Sequence, residues 1–451
     1  MKQESFVGGL GYRLYKRYVR FWNEHLMFRH VHYLNTENVP ALGEPCMIVS
    51  NHQNCANDPL VLLLGLENES HPYVIARGNV FSWHPLITKF FLWLGMLPAY
   101  RLDFDGAESL SKNAETIRIS GGKMLEGNRL IMYPEGGHQD RHWLGNFSFG
   151  YTRMAFETAE SDNFRHDIKI LPCAHHYEDY FGVRKDVMIT FGTPISLQPY
   201  YELYRTKPRT AQREVNKLVR AQIESLMLDI RDTEHYAAID FLRTSAFGDD
   251  FAAAQGLRGG FLPDKLKADK ALVVKIDALP DEDKSLVMGL ADDLRKQEEA
   301  LGLSDRDLDR QPTLPRICLD VLCHLLLLPL WLVSLYPGIF HYNIHRPFMR
   351  TDKMFTNSWR FIIPVVVGIP FFFVLTILVG GLCFGWWWQS VLFITLATYP
   401  LPLFALWQWN RMKRTATDIR LYTHRGAVAS LRNKRAALFA RLRKILDISE
   451  K

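Results

Sequence analysis

Cysteine is scarce in this chain. Six occur among 451 residues, at Cys46, Cys55, Cys173, Cys318, Cys323 and Cys383. No pair has metal-ligand spacing beside a second pair, and the last three fall in long apolar stretches. A disulfide framework is not expected, and the chain reads as cytosol-facing. The opening stretch MKQESFVGGLGYRLYKRYVRFW lacks the continuous apolar core of a signal peptide. Net charge is also small: 54 Lys and Arg against 48 Asp and Glu leave +6, with a sequence pI near 8.9. No basic-aromatic sheet pattern accompanies it, so nucleic acid is not an expected partner. Finally, no long apolar run interrupts roughly the first 310 residues. The mean hydropathy of −0.10 therefore averages over two different regions, and 451 residues suffice for one large domain or two to three smaller ones.

The apolar runs come late. Residues 317–340, 361–384 and 390–407 are each near the ~20 residues that span a bilayer. The last two carry no charge, and membrane spans are expected there. The first holds Asp320, His324, Pro329 and Pro337. A carboxylate is costly in hydrocarbon and proline breaks a helix, so a re-entrant or interfacial 317–340 is favoured over a full span. Three such segments are too few for the inverted repeats of a transporter. Arg346, Arg350, Lys353 and Arg360 precede the second run, and Arg411, Lys413 and Arg414 follow the third. The positive-inside tendency places both flanks in the cytoplasm, with Trp386–Trp388 at the far interface.

Residues 10–33 interleave aromatics with Arg, Lys and His. At helical spacing Leu14, Tyr18, Phe21 and Trp22 share one side, while Arg13, Lys16, Arg17 and Arg20 crowd the other. Such a helix suits a lipid interface, though a helix packed on its own domain fits the same pattern. Apolar runs at 45–50, 71–77, 167–177 and 186–195 read as strands, 129–137 as a strand running into a Gly-rich turn, and 60–66, 84–97 and 107–126 as helices. Their alternation predicts an α/β domain. The expected layout is an interfacial helix at 1–35, a catalytic domain at 36–205, a charged helical linker or insertion at 206–312, a membrane region at 313–410 and a basic cytoplasmic tail at 411–451.

The chemistry centres on IVSNHQNCANDPL, residues 48–60. His52 follows a strand, and Asp58 comes six residues later. A neutral imidazole can take a proton from a hydroxyl attacking an acyl carbonyl, and a carboxylate on its other nitrogen fixes the tautomer. The offset does not put both groups on one face of a regular helix, so a loop or bulged first turn must bring them together. Downstream stand ARGNVF (76–81), GMLPAYR (95–101), YPEGG (133–137) and ILPCA (170–174).

In order and approximate spacing these blocks, with TENVPALGEPCMIVSNH (36–52) before them, resemble the glycerolipid acyltransferase family, which includes glycerol-3-phosphate and 1-acylglycerol-3-phosphate acyltransferases. The resemblance covers about residues 30–200. It implies a mixed sheet flanked by helices, with His52 as general base and Asp58 as its orienting partner. It also implies that Gly78, Asn79 and Phe81 shape the acceptor pocket, that Arg101 grips the acceptor phosphate, that Glu135, Gly136 and Gly137 line the same pocket, and that Pro172 borders the acyl-donor site. A guanidinium suits bidentate phosphate capture, and amides in a Gly-rich turn can approach an anion.

Three features depart from the family's usual form. Five residues, Gln53 to Asn57, separate His52 from Asp58 rather than four, and some eukaryotic-type glycerol-3-phosphate acyltransferases resemble this longer form, including an Asn at the position of Asn54. Tyr133 replaces Phe, and GGHQDR stands where Gly-Thr-Arg is usual, so the expected Arg is displaced to Arg141 or lost. Arg77 and Lys89 fit equally as phosphate partners or surface charges. His138, His142, His175 and His176 lack carboxylate-supported ligand spacing, so no metal is expected. Cys55 reads as a small apolar filler rather than a nucleophile. The expected function is a membrane-bound O-acyltransferase with acyl-CoA or acyl-carrier protein as co-substrate, membrane lipids as partners and no cofactor. An amine-bearing or other lysolipid acceptor, and a non-catalytic scaffold on a degenerate domain, are the alternatives.

Overall fold

Short apolar runs bounded by turn residues become strands. In this computed structural model, which describes residues 7–82, 84–100, 109–137, 141–348 and 355–448, they are β1 (Phe28–Leu34), β2 (Cys46–Ser50), β3 (Tyr73–Arg77), β4 (Met96–Ala99), β5 (Arg129–Met132), β6 (Lys169–Tyr177), β7 (Lys185–Phe191) and β8 (Ile195–Ser196). They form one sheet in the order β1-β7-β6-β2-β5-β3-β4, with β8 beside β6. β7 and β8 pair antiparallel with β6, and the other pairings are parallel. Every residue of β2 is buried, which accounts for its unbroken apolar character. Because β2, β3, β4 and β5 run the same way, their carboxyl ends line one edge of the sheet, the edge where ligands of open α/β sheets bind. Asn51-His52, Gly78-Asn79, Tyr100 and Tyr133–Glu135 follow directly from those ends.

Among the helices that accompany the sheet are α1 (Leu10–Trp22), α2 (Asn57–Gly65), α3 (Pro85–Trp93), α4 (Ser109–Leu125), α5 (Gly150–Ser161) and α6 (Pro208–Leu226). Ala211, Val215, Val219 and Ile223, four apart on α6, join Met47, Val49, Leu130 and Ile170 in one core. The expected end of the catalytic domain at 205 is therefore too early. The chain divides into Met1–Leu228 with Thr351–Phe361, and Asp229–Arg350 with Ile362–Lys451.

Two strands run where helix was expected. The helix at 10–33 ends at Trp22, and after a wider turn β1 begins at Phe28. β4 occupies residues read as the end of a helix at 84–97, because Gly95, at φ +84°, reverses the chain after Trp93; a Cβ there would meet the Pro72 carbonyl at 2.7 Å. The basic side of α1 is also partly turned inward. Lys16 is buried and donates to the carbonyls of Glu67 and Ser70, while Arg20 Nη2 donates to those of Leu64 and Leu66. These are carbonyls at and just past the end of α2, where a helix dipole attracts cations. Leu10, Leu14 and Phe21 remain exposed.

In the second unit the helices Tyr236–Thr244, Ala246–Ala254, Leu262–Asp277 and Asp281–Ala300 are followed, much later in the chain, by Arg425–Ile445. The late helix packs on the earlier ones. Phe439 lies 5.4 Å from Phe247, Lys434 donates to Gln297 at 2.8 Å, and Lys275 donates to the Leu446 carbonyl at 2.7 Å. The expected linker and the expected tail are thus parts of one helical body. Leu314–Asn343 and Thr356–Phe384 are long and apolar enough to cross a membrane, and Trp387–Thr395 with Pro400–Thr423 would make a third span bent by 54°. Pro329 and Pro337 sit inside a continuous helix, so the break expected at 317–340 is not there. Asp320 is offset by Arg316 and Arg411, each at 3.2 Å.

Candidate active site

β2 delivers His52 to the carboxyl edge of the sheet, and α2 begins at Asn57. The residues between bulge, and Asp58, in the first turn of α2, swings back. His52 Nδ1 lies 2.8 Å from Asp58 Oδ2, and Asp58 is fully buried. That oxygen also accepts the amides of Gln53 at 2.7 Å and Asn54 at 2.8 Å, while Oδ1 accepts the Tyr177 hydroxyl at 2.6 Å. Burial alone would raise the Asp58 pKa. The imidazoles of His175 and His52 and the Asn54 amide outweigh it and hold the carboxyl at about 2. An ionised carboxylate only accepts, so His52 carries its proton on Nδ1, and Nε2 is the basic nitrogen. The His52 side chain keeps 18% of its surface accessible, enough for a substrate hydroxyl to approach.

A second layer holds this pair. His175 is buried, and burial lowers its pKa. Its Nε2–H donates to the Asp58 carbonyl at 2.8 Å, and its Nδ1 accepts from Ser50 Oγ at 2.8 Å. Asn51 brackets the His175 backbone, donating to its carbonyl at 3.1 Å and accepting its amide at 2.8 Å. Glu135 Oε1 accepts the His52 amide at 2.7 Å and Oε2 the Gly145 amide at 2.7 Å. The Tyr133 ring stacks on His52 with centroids 4.4 Å apart. Its hydroxyl is buried without a hydrogen-bond partner among the described residues.

The predicted residues divide accordingly. His52 and Asp58 come together. Glu135, expected to line the acceptor pocket, instead spends both oxygens on backbone amides. Asn54, the residue shared with the longer form of the motif and a candidate substrate-binding residue on that resemblance, is buried and donates to the Tyr180 carbonyl at 3.2 Å. Gly78 is buried at the end of β3, where a Cβ would meet the Tyr100 ring at 2.3 Å. Asn79 is exposed on the following turn, and the Phe81 ring lies 5.9 Å from that of Phe91. Gly136 takes φ +62° in the turn after β5, and a Cβ on Gly137 would meet nothing within 4 Å. Pro172 lies inside β6, paired with Val49. Arg101 and His138 lie outside the described residues. Arg141 is exposed, with its guanidinium 4.9 Å from the Trp143 ring. Burial pushes the Cys55 thiol up to about 12, so it is no nucleophile at neutral pH.

Sequence reasoning missed Ser50, Asn51, Tyr177 and the role of His175. The signal for His175 and Tyr177 was present in ILPCAHHY, a strand whose period of two turns both toward one face. Among the described residues, His30, His32 and Asp186 could together hold a cation, but Asp186 Oδ1 already accepts Arg29 Nε at 2.8 Å. A cavity of about 450 Å³ lined by Leu92, Leu97, Pro98 and Tyr100 opens at the β4 edge and does not include the dyad.

Residues 30–176 match the family model described as acyltransferase. An uncharacterized acyltransferase of Schizosaccharomyces pombe is 32% identical over 88 residues, which are 19% of this chain and 13% of that protein. The 1-acyl-sn-glycerophosphate (LPA) acyltransferase PlsC of Thermotoga maritima aligns at 17% identity and a TM-score of 0.31, over 46% of this chain and 78% of PlsC. The imidazole braced by a buried carboxylate lies inside the segment, residues 30–176, that is similar to the acyltransferase family model.

Proposed function

We propose that this protein is a membrane-bound O-acyltransferase of phospholipid biosynthesis. It moves a fatty acyl group from acyl-CoA or acyl-carrier protein to glycerol 3-phosphate or 1-acylglycerol 3-phosphate. The observation that carries the reading is the 2.8 Å bond between His52 Nδ1 and the buried Asp58 carboxylate. His52 Nε2 takes the proton of the acceptor hydroxyl as its oxygen attacks the thioester carbonyl. The C–S bond then breaks, and the departing thiolate receives that proton. A positioned base supplies ~10²–10⁴-fold, and holding the two substrates together supplies more. The donor is a co-substrate, and no prosthetic group enters.

Two apolar helices long enough to span a bilayer and the exposed Leu10, Leu14 and Phe21 of α1 fit an enzyme that meets an amphipathic acceptor at a membrane. The basic stretch 346–360 is expected on the cytoplasmic side, and the bonds of Asn357, Ser358 and Arg360 to the Tyr180 carbonyl, the Ala56 amide and the Phe181 carbonyl support a catalytic domain on that same side.

The test is detergent-solubilised full-length protein with labelled palmitoyl-CoA, offered glycerol 3-phosphate and lysophosphatidate in parallel, for wild type and His52→Ala. Incorporation abolished by the substitution supports the reading and names the acceptor. Incorporation that survives it removes His52 as the base. If neither acceptor is labelled with either donor, the reading gives way to another lysolipid.

A further inference from the structure

We propose that the turn 355–361, which opens the apolar helix Thr356–Phe384, is a positioning element for the loop that joins His52 to Asp58. The inference rests on the acyltransferase reading of that site.

The loop poses a mechanical problem. Five residues separate His52 from Asp58. Asp58 Oδ2 fixes the amides of Gln53 and Asn54, which leaves Cys55 and Ala56 to take up the excess chain. They do so by placing Cys55 at φ +47°. A left-handed residue other than glycine is strained and persists only where its surroundings hold it.

Ser358, 302 residues away in sequence, holds it. Its Oγ accepts the Ala56 amide at 3.0 Å, and the Cys55 thiol hydrogen-bonds to the same side chain. Ser358 is 1% exposed and Cys55 8%, so no water replaces these bonds cheaply.

The same helical turn also holds the other side of the site. Asn357 Nδ2 and Asn54 Nδ2 both donate to the Tyr180 carbonyl, and Arg360 Nη1 donates to the Phe181 carbonyl. Tyr180 and Phe181 follow β6, the strand that carries His175 and Tyr177 to Asp58. Residues 357, 358 and 360 thus tie both chain segments that converge on the carboxylate. Thr351–Phe361 accordingly groups with Met1–Leu228 rather than with its chain neighbours. The start of a helix suited to the bilayer is in this way built into the catalytic loop.

The experiment uses the full chain in lipid nanodiscs, with amide exchange of peptides spanning 52–58 read beside steady-state kinetics. In wild type the Ala56 amide exchanges slowly although it lies in a loop. Ser358→Ala speeds exchange across 53–57 and lowers kcat roughly five- to tenfold, the worth of a buried hydrogen bond, with KM for acyl-CoA unchanged. Ser358→Thr, which keeps the hydroxyl, restores both. Cys55→Gly, which removes the left-handed cost, recovers most of the kcat lost in Ser358→Ala. Unchanged exchange and kcat in Ser358→Ala overturn the proposal, as does a loss that Ser358→Thr does not rescue. Fast exchange of Ala56 in wild type overturns it without any variant. If wild type acylates no acceptor, the functional reading fails, while the exchange data still decide whether Ser358 holds the loop.

Discussion

Two parts of this chain each hold a histidine near a carboxylate, and they behave in opposite ways. Asp320 and His324 are four residues apart on one helix, the spacing that puts two side chains on the same face. Yet Asp320 pairs with Arg316 and Arg411, and His324 bonds to Thr415 at 2.9 Å and Gln408 at 3.1 Å. His52 and Asp58 are six apart, a spacing no regular helix favours, and they are joined at 2.8 Å. What separates the cases is the competition for the carboxylate. Around Asp58 the other donors are two amides and a phenol, so among the described residues the imidazole is the one hydrogen-bond partner of that side chain that can carry positive charge. Around Asp320 two guanidiniums take that place. A dyad is made by what surrounds the acid, and residue spacing only permits it.

The most direct way to break the comparison is at the dyad. His52→Ala removes the base and should lower kcat/KM ~10²–10⁴-fold. Asp58→Asn should cost about as much, because an amide no longer fixes Nδ1 as the protonated nitrogen. Radiolabel incorporation at saturating donor measures both. The pH response sharpens the point. The folded pKa of Asp58, about 2, lies below its ordinary 3.8. Its contribution to stability is therefore fully present above about pH 4 and is lost as pH falls through 2. An acid limb in the rate profile between pH 5 and 8 cannot be Asp58; if Asp58→Asn moved such a limb only by abolishing it, the limb belongs to another group.

Glu135 tests whether the pair depends on its backbone support. Its carboxylate bridges the amides of His52 and Gly145, and burial raises its pKa even as these amides favour the charged form. Glu135→Gln keeps one acceptor and turns an NH₂ toward the other amide. A drop of roughly tenfold in kcat with little change in KM is expected, as one buried hydrogen bond is lost and its donor left unpaired. A rise in KM for the acceptor alone would return Glu135 to the pocket-lining role that the motif suggested.

Much of this was legible beforehand. The α/β core, the runs that became β2, β3, β5, β6 and β7, and the pairing of His52 with Asp58 all follow from local pattern and chemistry. What was not legible has physical causes. β1 and β4 are short and flanked by helical pattern, so pairing partners elsewhere decide them. Lys16 and Arg20 look like a basic face until the carbonyls at the end of α2 claim them. The proline-containing helix at 314–338 stays continuous where proline rules predicted a break. The support of Ser358 on Ala56 spans 302 residues, and no periodicity within either segment encodes it.

The helix pair around His324 supplies the counterpart to the dyad experiments. His324→Ala removes two side-chain bonds and no chemistry, so specific activity should stay within about twofold. Stability should fall by about 1 kcal/mol, since interhelical bonds of this kind average a few tenths each plus the packing lost. Thermal unfolding in detergent measures it. A large loss of kcat at unchanged stability would mean that this second histidine has a catalytic part and that the contrast fails.

The smallest effect is expected at Tyr133. Its ring stacks on His52 and its hydroxyl is buried without a partner among the described residues. Tyr133→Phe keeps the stacked ring and removes a polar group that was stripped of water with no bond gained in return. Such a change is neutral or stabilising, in contrast to the removal of one member of a bonded pair. The variant should match wild type in kcat within about twofold and unfold at the same temperature or slightly higher. A tenfold loss of kcat would show instead that the hydroxyl engages the reacting groups during turnover. A neutral donor stacked on the dyad would then reach the substrate directly.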